Sequence, residues 1–526
     1  MYDILLRGGL IYDGTGSKPF RCDIAIKDGF IHEMGEISRT EATRELIDID
    51  GMAVSPGFID VNNHSDTHWR IFFDPKLESL ISQGITTIVG GSCGSSLAPL
   101  LNERAIDSIR KWIELRSVHV NWEHVRDFYA HLNLRGIPLN FATLVGHSTL
   151  RRALVGDEHR PYAEEELSQA LHAMEIAMQE GALGVSFGLA YTHAKAADKK
   201  EIISLMKSVS DYKGIITAHL RNEGPFLEES LLEMFEYAKE TQSRLHISHL
   251  KAMGRKNWGI FDSALSLFDS ISQEGLNVSF DIFPYDFSGS VLYTLLPDWV
   301  SEGGKNAMLE RLRDFSARRQ VVAEIKQSAF EFDKIYILSA TFLNRSLTKK
   351  NIAEIAKARG IEPEEALIEI LLMSEGRATA RMDVLSEENI EKGIKHPLSI
   401  ISSDGSGYSL KHKTVGEEIH PRDFGAFPRF LGRYVREKKI LSLEEGLYKI
   451  TGFPASRFGI SRRGVLKEGN YADIVVFDPD KIEDKATVKN PYQYAKGIEY
   501  VIVNGECAFK NSECVGKTSG MLIKRM

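Results

Sequence analysis

The feature that most constrains this chain is a rhythm of eight short apolar runs, spaced by helical stretches, each running into polar or ligand-type side chains. The runs are Phe58–Val61, Thr86–Gly90, Asn140–Val145, Gly184–Leu189, Gly214–Ala218, Leu245–Ser248, Val278–Phe283 and Leu398–Ser402. Strands that are apolar almost throughout suit a parallel sheet covered by helices on both faces. Segments such as Glu164–Glu180 and Ile202–Val209 supply helices between them. Eight strands alternating with helices predict an α/β fold built as a (β/α)8 TIM-like barrel.

The two ends of the chain read differently. Asp3–Tyr12, Asp23–Ile26 and Phe30–Met34 are strand-like, with the turn pair Asp28-Gly29 between the last two. Ala472–Phe477 and Ile498–Val503 repeat the pattern, and the second ends in Asn504-Gly505. A small β-sandwich assembled from both termini is expected, from residues 1–55 and 457–526, around a barrel spanning 56–456. The stretch 286–397 is too long for one strand-to-helix connection, so it carries an insertion with helices near Ala307–Glu324 and Glu364–Met373.

Strand ends of a parallel barrel open onto one face, where such folds build their sites. Here the first strand leads into Asn62-Asn63-His64 and the second into Ser92-Cys93-Gly94. The third leads to His147 and the fourth to Tyr191. The fifth leads to His219-Leu220-Arg221 and the sixth to His249-Leu250-Lys251. The seventh leads to Tyr285, and the eighth to Asp404 beside Gly405. Singly, each has a plain explanation: a satisfied histidine, a turn aspartate, a solvated lysine. Together, His64, Cys93, His219, His249 and Asp404 supply the nitrogen, sulfur and carboxylate donors that zinc accepts. Their scatter over separate strands argues against a closed structural zinc site.

Composition narrows the rest. The 526 residues carry a net charge of −8 with no basic stripe, so no nucleic-acid partner is expected. Four cysteines in so long a chain make no disulfide framework. The first residues lack a signal-peptide pattern, no run is long enough to span a bilayer, and a cytoplasmic location is expected.

At these residues the sequence resembles the D-aminoacylase (N-acyl-D-amino-acid deacylase) family of the amidohydrolase superfamily. The widely shared stretches are Pro56-Gly57-Phe58-Ile59-Asp60 and Ala472-Asp473-Ile474-Val475. The specific ones are Cys93 with Gly94-Ser95-Ser96-Leu97-Ala98-Pro99, and the run from His420-Pro421-Arg422 to Arg436. The resemblance implies that Cys93 takes the place of the bridging carboxylated lysine found on the fourth strand of many amidohydrolases. It implies that His219 and His249 hold the tightly bound zinc, and that Asp404 is the catalytic aspartate. Arg422, Lys251, Tyr191 and Tyr285 are then expected around the substrate carboxylate, with Arg422 the first choice because its fork can bind two oxygens.

The activity implied is zinc-dependent hydrolysis of N-acyl-D-amino acids to a carboxylate and a free D-amino acid. The D preference rests wholly on the resemblance. The small-molecule substrate is the expected partner. Cyclic-amide hydrolysis of the dihydroorotase or hydantoinase kind is the nearest alternative, and a non-catalytic relative is a second. One departure stands out. The family carries His-x-His after the first strand, and this chain has Asn62-Asn63-His64. A carboxamide is a poor zinc ligand, so one tightly bound Zn2+ is expected, with His64 beside it.

Overall fold

The computed structural model describes residues 1–526 apart from Arg39, 109–119, Ala329, Thr341, 416–417, Lys517 and Met526. All eight expected runs are strands. They are Phe58–Asp60, Ile85–Gly90, Asn140–Thr143 (continued by Val145–Gly146), Gly184–Gly188, Ile215–His219, Arg244–Ile247, Val278–Ile282 and Ser399–Ile401. Chain neighbours pair in parallel from the first strand to the eighth. Beyond the eighth, a parallel bridge joins Gly405 to Asn63 at the end of the first. The architecture is TIM-like α/β, and the strands are buried almost without exception because helices cover them.

Local chemistry sets the helix limits. Glu164–Glu180 opens on three glutamates, which complement the exposed amides of a first turn, and stops at Gly181 with φ 108°. Lys199–Asp211 is capped by Asp198, whose carboxylate accepts from the Glu201 amide at 2.9 Å.

Both termini contribute to one continuous nine-stranded sheet. Its order is Glu513–Cys514, Glu506–Lys510, Ile498–Val503, Ile474–Phe477, Ala53–Pro56, Tyr2–Ile11, Phe20–Lys27 and Phe30–Gly35, with Thr43–Asp48 paired to Tyr2–Ile11. Asp28 and Gly29 turn the hairpin at φ 51° and 82°. Ile4, Ile24, Val54, Ile474 and Ile502 make an apolar cluster that holds the sheet from both ends of the chain.

The insertion after the seventh strand has its own apolar core, including Leu292, Leu312, Ile337 and Leu371. Sequence reading gave it helices alone. It also contains an antiparallel sheet in which Thr379–Met382 lies between Ser288–Val291 and Ile335–Ser339. The single helix expected over Ala307–Glu324 is two, Gly304–Arg313 and Phe315–Ser328. Asp314 breaks it, and its carboxylate accepts from the Ala317 amide at 2.8 Å to start the second.

The last described residues run under the N-terminal ends of the strands. The Phe141 amide donates to Met521 and the Ile523 amide to Phe141, at 2.9 and 2.8 Å. The Arg525 guanidinium donates to the Tyr212 carbonyl at 2.7 Å. Among the described residues, no helix is long and apolar enough to cross a membrane.

Candidate metal centre

At the opposite, C-terminal ends of the strands, two groups of potential ligands share one sulfur. Cys93, His219 and His249 form the first, and His64, Cys93 and Asp404 the second; within each group the donor atoms lie within 4.8 Å of one another. Cys93 Sγ is 3.2 Å from His249 Nε2. The His219 and His249 rings meet edge to face with centroids 4.4 Å apart. Cys93, His249 and Asp404 all take left-handed backbone conformations, with φ of 52°, 39° and 47°. Such φ values are uncommon outside glycine, and strained residues of this kind collect at functional sites.

Glycines let the second and fourth strands approach. A Cβ on Gly94 would lie 2.7 Å from the Gly188 amide nitrogen, and one on Gly188 would lie 2.2 Å from the Cys93 carbonyl. The end of the fourth strand is thus closed over by the cysteine loop.

The residues present fit a bound cation. His219 Nδ1 is buried without a hydrogen-bond partner among the described residues. Burial pushes the Cys93 thiol up, but the histidines His249, His219 and His64 outweigh it and hold the thiol well below its usual range. A thiolate beside two imidazoles is a zinc donor set.

Glu223 supports those ligands and was not singled out from the sequence. Its Oε1 is 3.0 Å from His249 Nδ1 and 2.5 Å from Lys251 Nζ, and its Oε2 is 3.5 Å from His219 Nε2. Its side chain is largely shielded, yet its carboxyl is held low: burial raises it, while His219, Lys251 and His249 lower it by more. The spacing His219-x-x-x-Glu223 was the available signal, because it brings the loop after the fifth strand back onto its own histidine.

Asp404 lies between two cationic groups. Its Oδ1 accepts from His64 Nε2 at 3.1 Å, and its Oδ2 accepts from Arg422 at 2.5 Å. Burial raises its pKa, but Arg422, His249 and His64 pull it well below the usual carboxylate range. Burial depresses His64, and the contacts with Asp404 and Cys93 reverse that, taking it up to about 10. Arg422 opens the helix Arg422–Arg429, stands over the Phe283 ring at 5.2 Å, and keeps a buried Nε without a partner among the described residues.

The other expected residues divide. Tyr191 borders the centre, its ring 5.0 Å from that of His219, and it packs with Cys93 and Val291. Lys251 reaches His249 Nδ1 at 2.9 Å. Tyr285 lies farther back, its ring under the Arg429 guanidinium at 4.7 Å. Its hydroxyl would sit 2.8 Å from a Cβ placed on Gly425. His147 turns away from the ligand groups to Glu201 at 2.6 Å, in a buried network with Arg151. Arg221 is held by Glu233 at 2.8 Å. Asn62 donates to Asp281 at 3.4 Å and leaves its Oδ1 buried without a partner among the described residues.

Residues 298–509 match the family model described as the amidohydrolase family. The D-aminoacylase of Alcaligenes xylosoxydans xylosoxydans is 32% identical over 526 residues, covering 100% of this chain and 98% of that one. The N-acyl-D-glutamate deacylase of the same organism is 31% identical over 96% of this chain and 93% of its own. Among solved structures, N-acyl-D-glutamate deacylase from Bordetella bronchiseptica, complexed with zinc and a phosphonate inhibitor, superposes with TM-score 0.84 at 30% identity over 99% of both chains. A D-aminoacylase described with a binuclear metal center, one-metal activation and second-metal attenuation matches with the same score and identity over 100% of both chains. With this sequence likeness running the full length, and a cysteine and histidines gathered at the strand ends, the chain belongs to the D-aminoacylase family of the amidohydrolases.

Proposed function

We propose that this protein hydrolyses the amide bond of N-acyl-D-amino acids, releasing a carboxylate and a free D-amino acid. The observation that carries the reading is the pair of ligand groups sharing Cys93, with Asp404 held between His64 and Arg422. The D configuration comes from the relatives, which are a D-aminoacylase and deacylases of N-acyl-D-glutamate and N-acyl-D-aspartate.

Cys93, His219 and His249 hold the zinc, with His64 at its side. Zinc supplies Lewis acidity and makes water more acidic. Asp404 takes a proton from the attacking water at its carboxylate and passes it to the leaving amine, a base that becomes an acid within one turnover. His64 orients that carboxylate. Arg422 receives the substrate carboxylate through the part of its fork not used by Asp404, and Lys251 adds positive charge behind His249. Tyr191 bounds the substrate beside Cys93, and Tyr285 acts from behind Arg422's helix.

One zinc per chain is the working state of this reading, because Asn62 stands where an imidazole would complete a second site. The eight strands close into a barrel, which the Asn63–Gly405 bridge supports. The nine-stranded sheet folds over its isoleucine-rich cluster as a β-sandwich. The domains are 1–55 with 457–526, and 56–456 with its insertion at about 286–397. A reducing cytoplasm suits the four free cysteines, and the partner is a small molecule.

The test is metal analysis of the purified protein together with a screen of N-acetyl-D- and N-acetyl-L-amino acids. Release of free amino acid from the D series by zinc-loaded protein is expected. No release from any member, with zinc present, overturns the reading.

A further inference from the structure

We propose that His420 is the positioning residue that seats Arg422 and couples it to the insertion. The inference rests on the reading of Arg422 as the carboxylate clamp. Its geometry stands apart from that reading. His420 comes two residues before Arg422 and is buried. Both of its ring nitrogens are used. Nδ1 accepts from the Arg422 backbone amide at 3.0 Å, and Nε2 donates to the Phe287 carbonyl at 3.2 Å. Burial, and then the charge of Arg422, keep the imidazole well below its usual pKa, so the ring is neutral with one donor and one acceptor. This division of roles fixes a single tautomer and a single ring orientation.

Phe287 is the residue immediately before the first strand of the insertion's sheet, Ser288–Val291. Its ring stacks on His420 with centroids 4.5 Å apart and 29° between planes. The Arg381 guanidinium lies 5.5 Å over the other component of that stack, the Phe287 ring, and 4.2 Å over Tyr336. Arg381 is itself held in plane by two bonds to Asp383, at 2.7 and 2.9 Å. Three planar groups, Tyr336, Arg381 and Phe287, therefore connect the insertion's sheet to the ring that receives the Arg422 amide. A first-turn helix amide has no partner within its own helix, so its acceptor decides how the helix begins. Here that acceptor is His420, and the side chain it aims is the one bonded to Asp404. A shift of the insertion at Phe287 is thereby a shift of Arg422.

Two conservative variants separate the ring's two tasks. In His420→Asn the short carboxamide reaches the Nδ1 position and keeps the acceptor for Arg422. In His420→Gln the longer one reaches the Nε2 position and keeps the tie to Phe287. Hydrogen exchange of the Arg422 amide reads the contact directly and needs no substrate. It should stay slow in the natural protein and in His420→Asn, and speed up in His420→Gln on the order of tenfold or more, as for a lost buried hydrogen bond. Ser288–Val291 should show the reverse, exchanging faster in His420→Asn. With N-acetyl-D-amino acids, His420→Gln should raise KM on the order of tenfold while leaving KM for the carboxamide analogue near that of the natural protein. Equal exchange at Arg422 in both variants overturns the proposal, as does an equal rise in KM for both substrates. If no N-acyl-D-amino acid is hydrolysed by the natural protein, the functional reading fails, and the exchange measurement still decides the role of His420.

Discussion

Glu223 braces His249: its Oε1 lies 3.0 Å from His249 Nδ1, leaving Nε2 turned toward Cys93. A carboxylate behind a ligand histidine fixes the ring and raises its basicity. Glu223→Gln should weaken zinc binding by roughly 10–100-fold, read by competition with a chromogenic chelator. Activity should return when zinc is added in excess. Unchanged affinity would show that the contact does not tune the ligands.

Asp404→Asn should keep the fold and the zinc, because Cys93, His219 and His249 are untouched. Turnover should fall by roughly 10²–10⁴-fold, the usual worth of a proton-transfer group. A well-folded, zinc-loaded variant with near-normal kcat would remove Asp404 from the chemistry.

Arg422 touches Asp404 as well as its proposed substrate carboxylate, so Arg422→Ala should do two things at once. A loss common to all substrates comes from releasing Asp404. A further loss, about tenfold or more, should appear only on substrates with a free carboxylate, since these lose a charge-assisted contact. Comparing kcat/KM for each N-acyl amino acid and its carboxamide separates the two. Identical losses would confine Arg422 to the aspartate.

Asn62 should limit the centre to one strongly held metal. Titration of the metal-free natural protein should saturate both binding and activity at one zinc per chain, whereas Asn62→His should take up a second equivalent. Activity of the natural protein that climbs only with the second equivalent would overturn the single-zinc reading.

Lys449 offers a test of stability remote from the centre. Its ammonium is buried and donates to the His396 and Ser399 carbonyls at 2.6 and 3.2 Å, and burial lowers its pKa to about 8 from the usual 10.5. Below pH 8 both folded and unfolded chains hold this proton, and the cost of burying the charge is at its greatest. Between about 8 and 10.5 the unfolded chain holds more protons, so this group's contribution to stability improves as pH rises. Urea unfolding of the natural protein and Lys449→Met across that range should give a difference that grows in favour of the natural protein. A difference that stays flat with pH would show that the lysine titrates normally.

Much of this was legible in the sequence, for physical reasons that also explain the gaps. The eight parallel strands stood out because burial on both faces leaves few charged residues in them, Asp60, Arg244 and Asp281 being the exceptions. Thr43–Asp48 did not, since its exposed Arg44 and Asp48 flatten the apolar signal. The insertion's sheet was hidden by its short strands, such as Thr379–Met382 with Arg381 inside. Cys93, His219, His249, His64 and Asp404 could be gathered because strand ends share a face, which is a property of topology. His147 shared that signal but heads a helix, His147–Leu154, that carries it toward Glu201. Glu223 and His420 act through contacts between loops; only the His219-x-x-x-Glu223 spacing hints at the first, and no periodicity encodes the second.

The C-terminal segment beneath the strands has a consequence for how the chain is made. Phe141 is synthesised early, but the Met521 and Ile523 groups that satisfy its backbone emerge only after all eight parallel strands have been translated. The third strand is therefore not fully paired at Phe141 until residues 521–523 have been made. A ribosome that stops short, or a protease that trims this segment, leaves Phe141 with an unpaired amide and carbonyl. Protein that retains residues 521–523 should thus resist aggregation where protein cut before them does not.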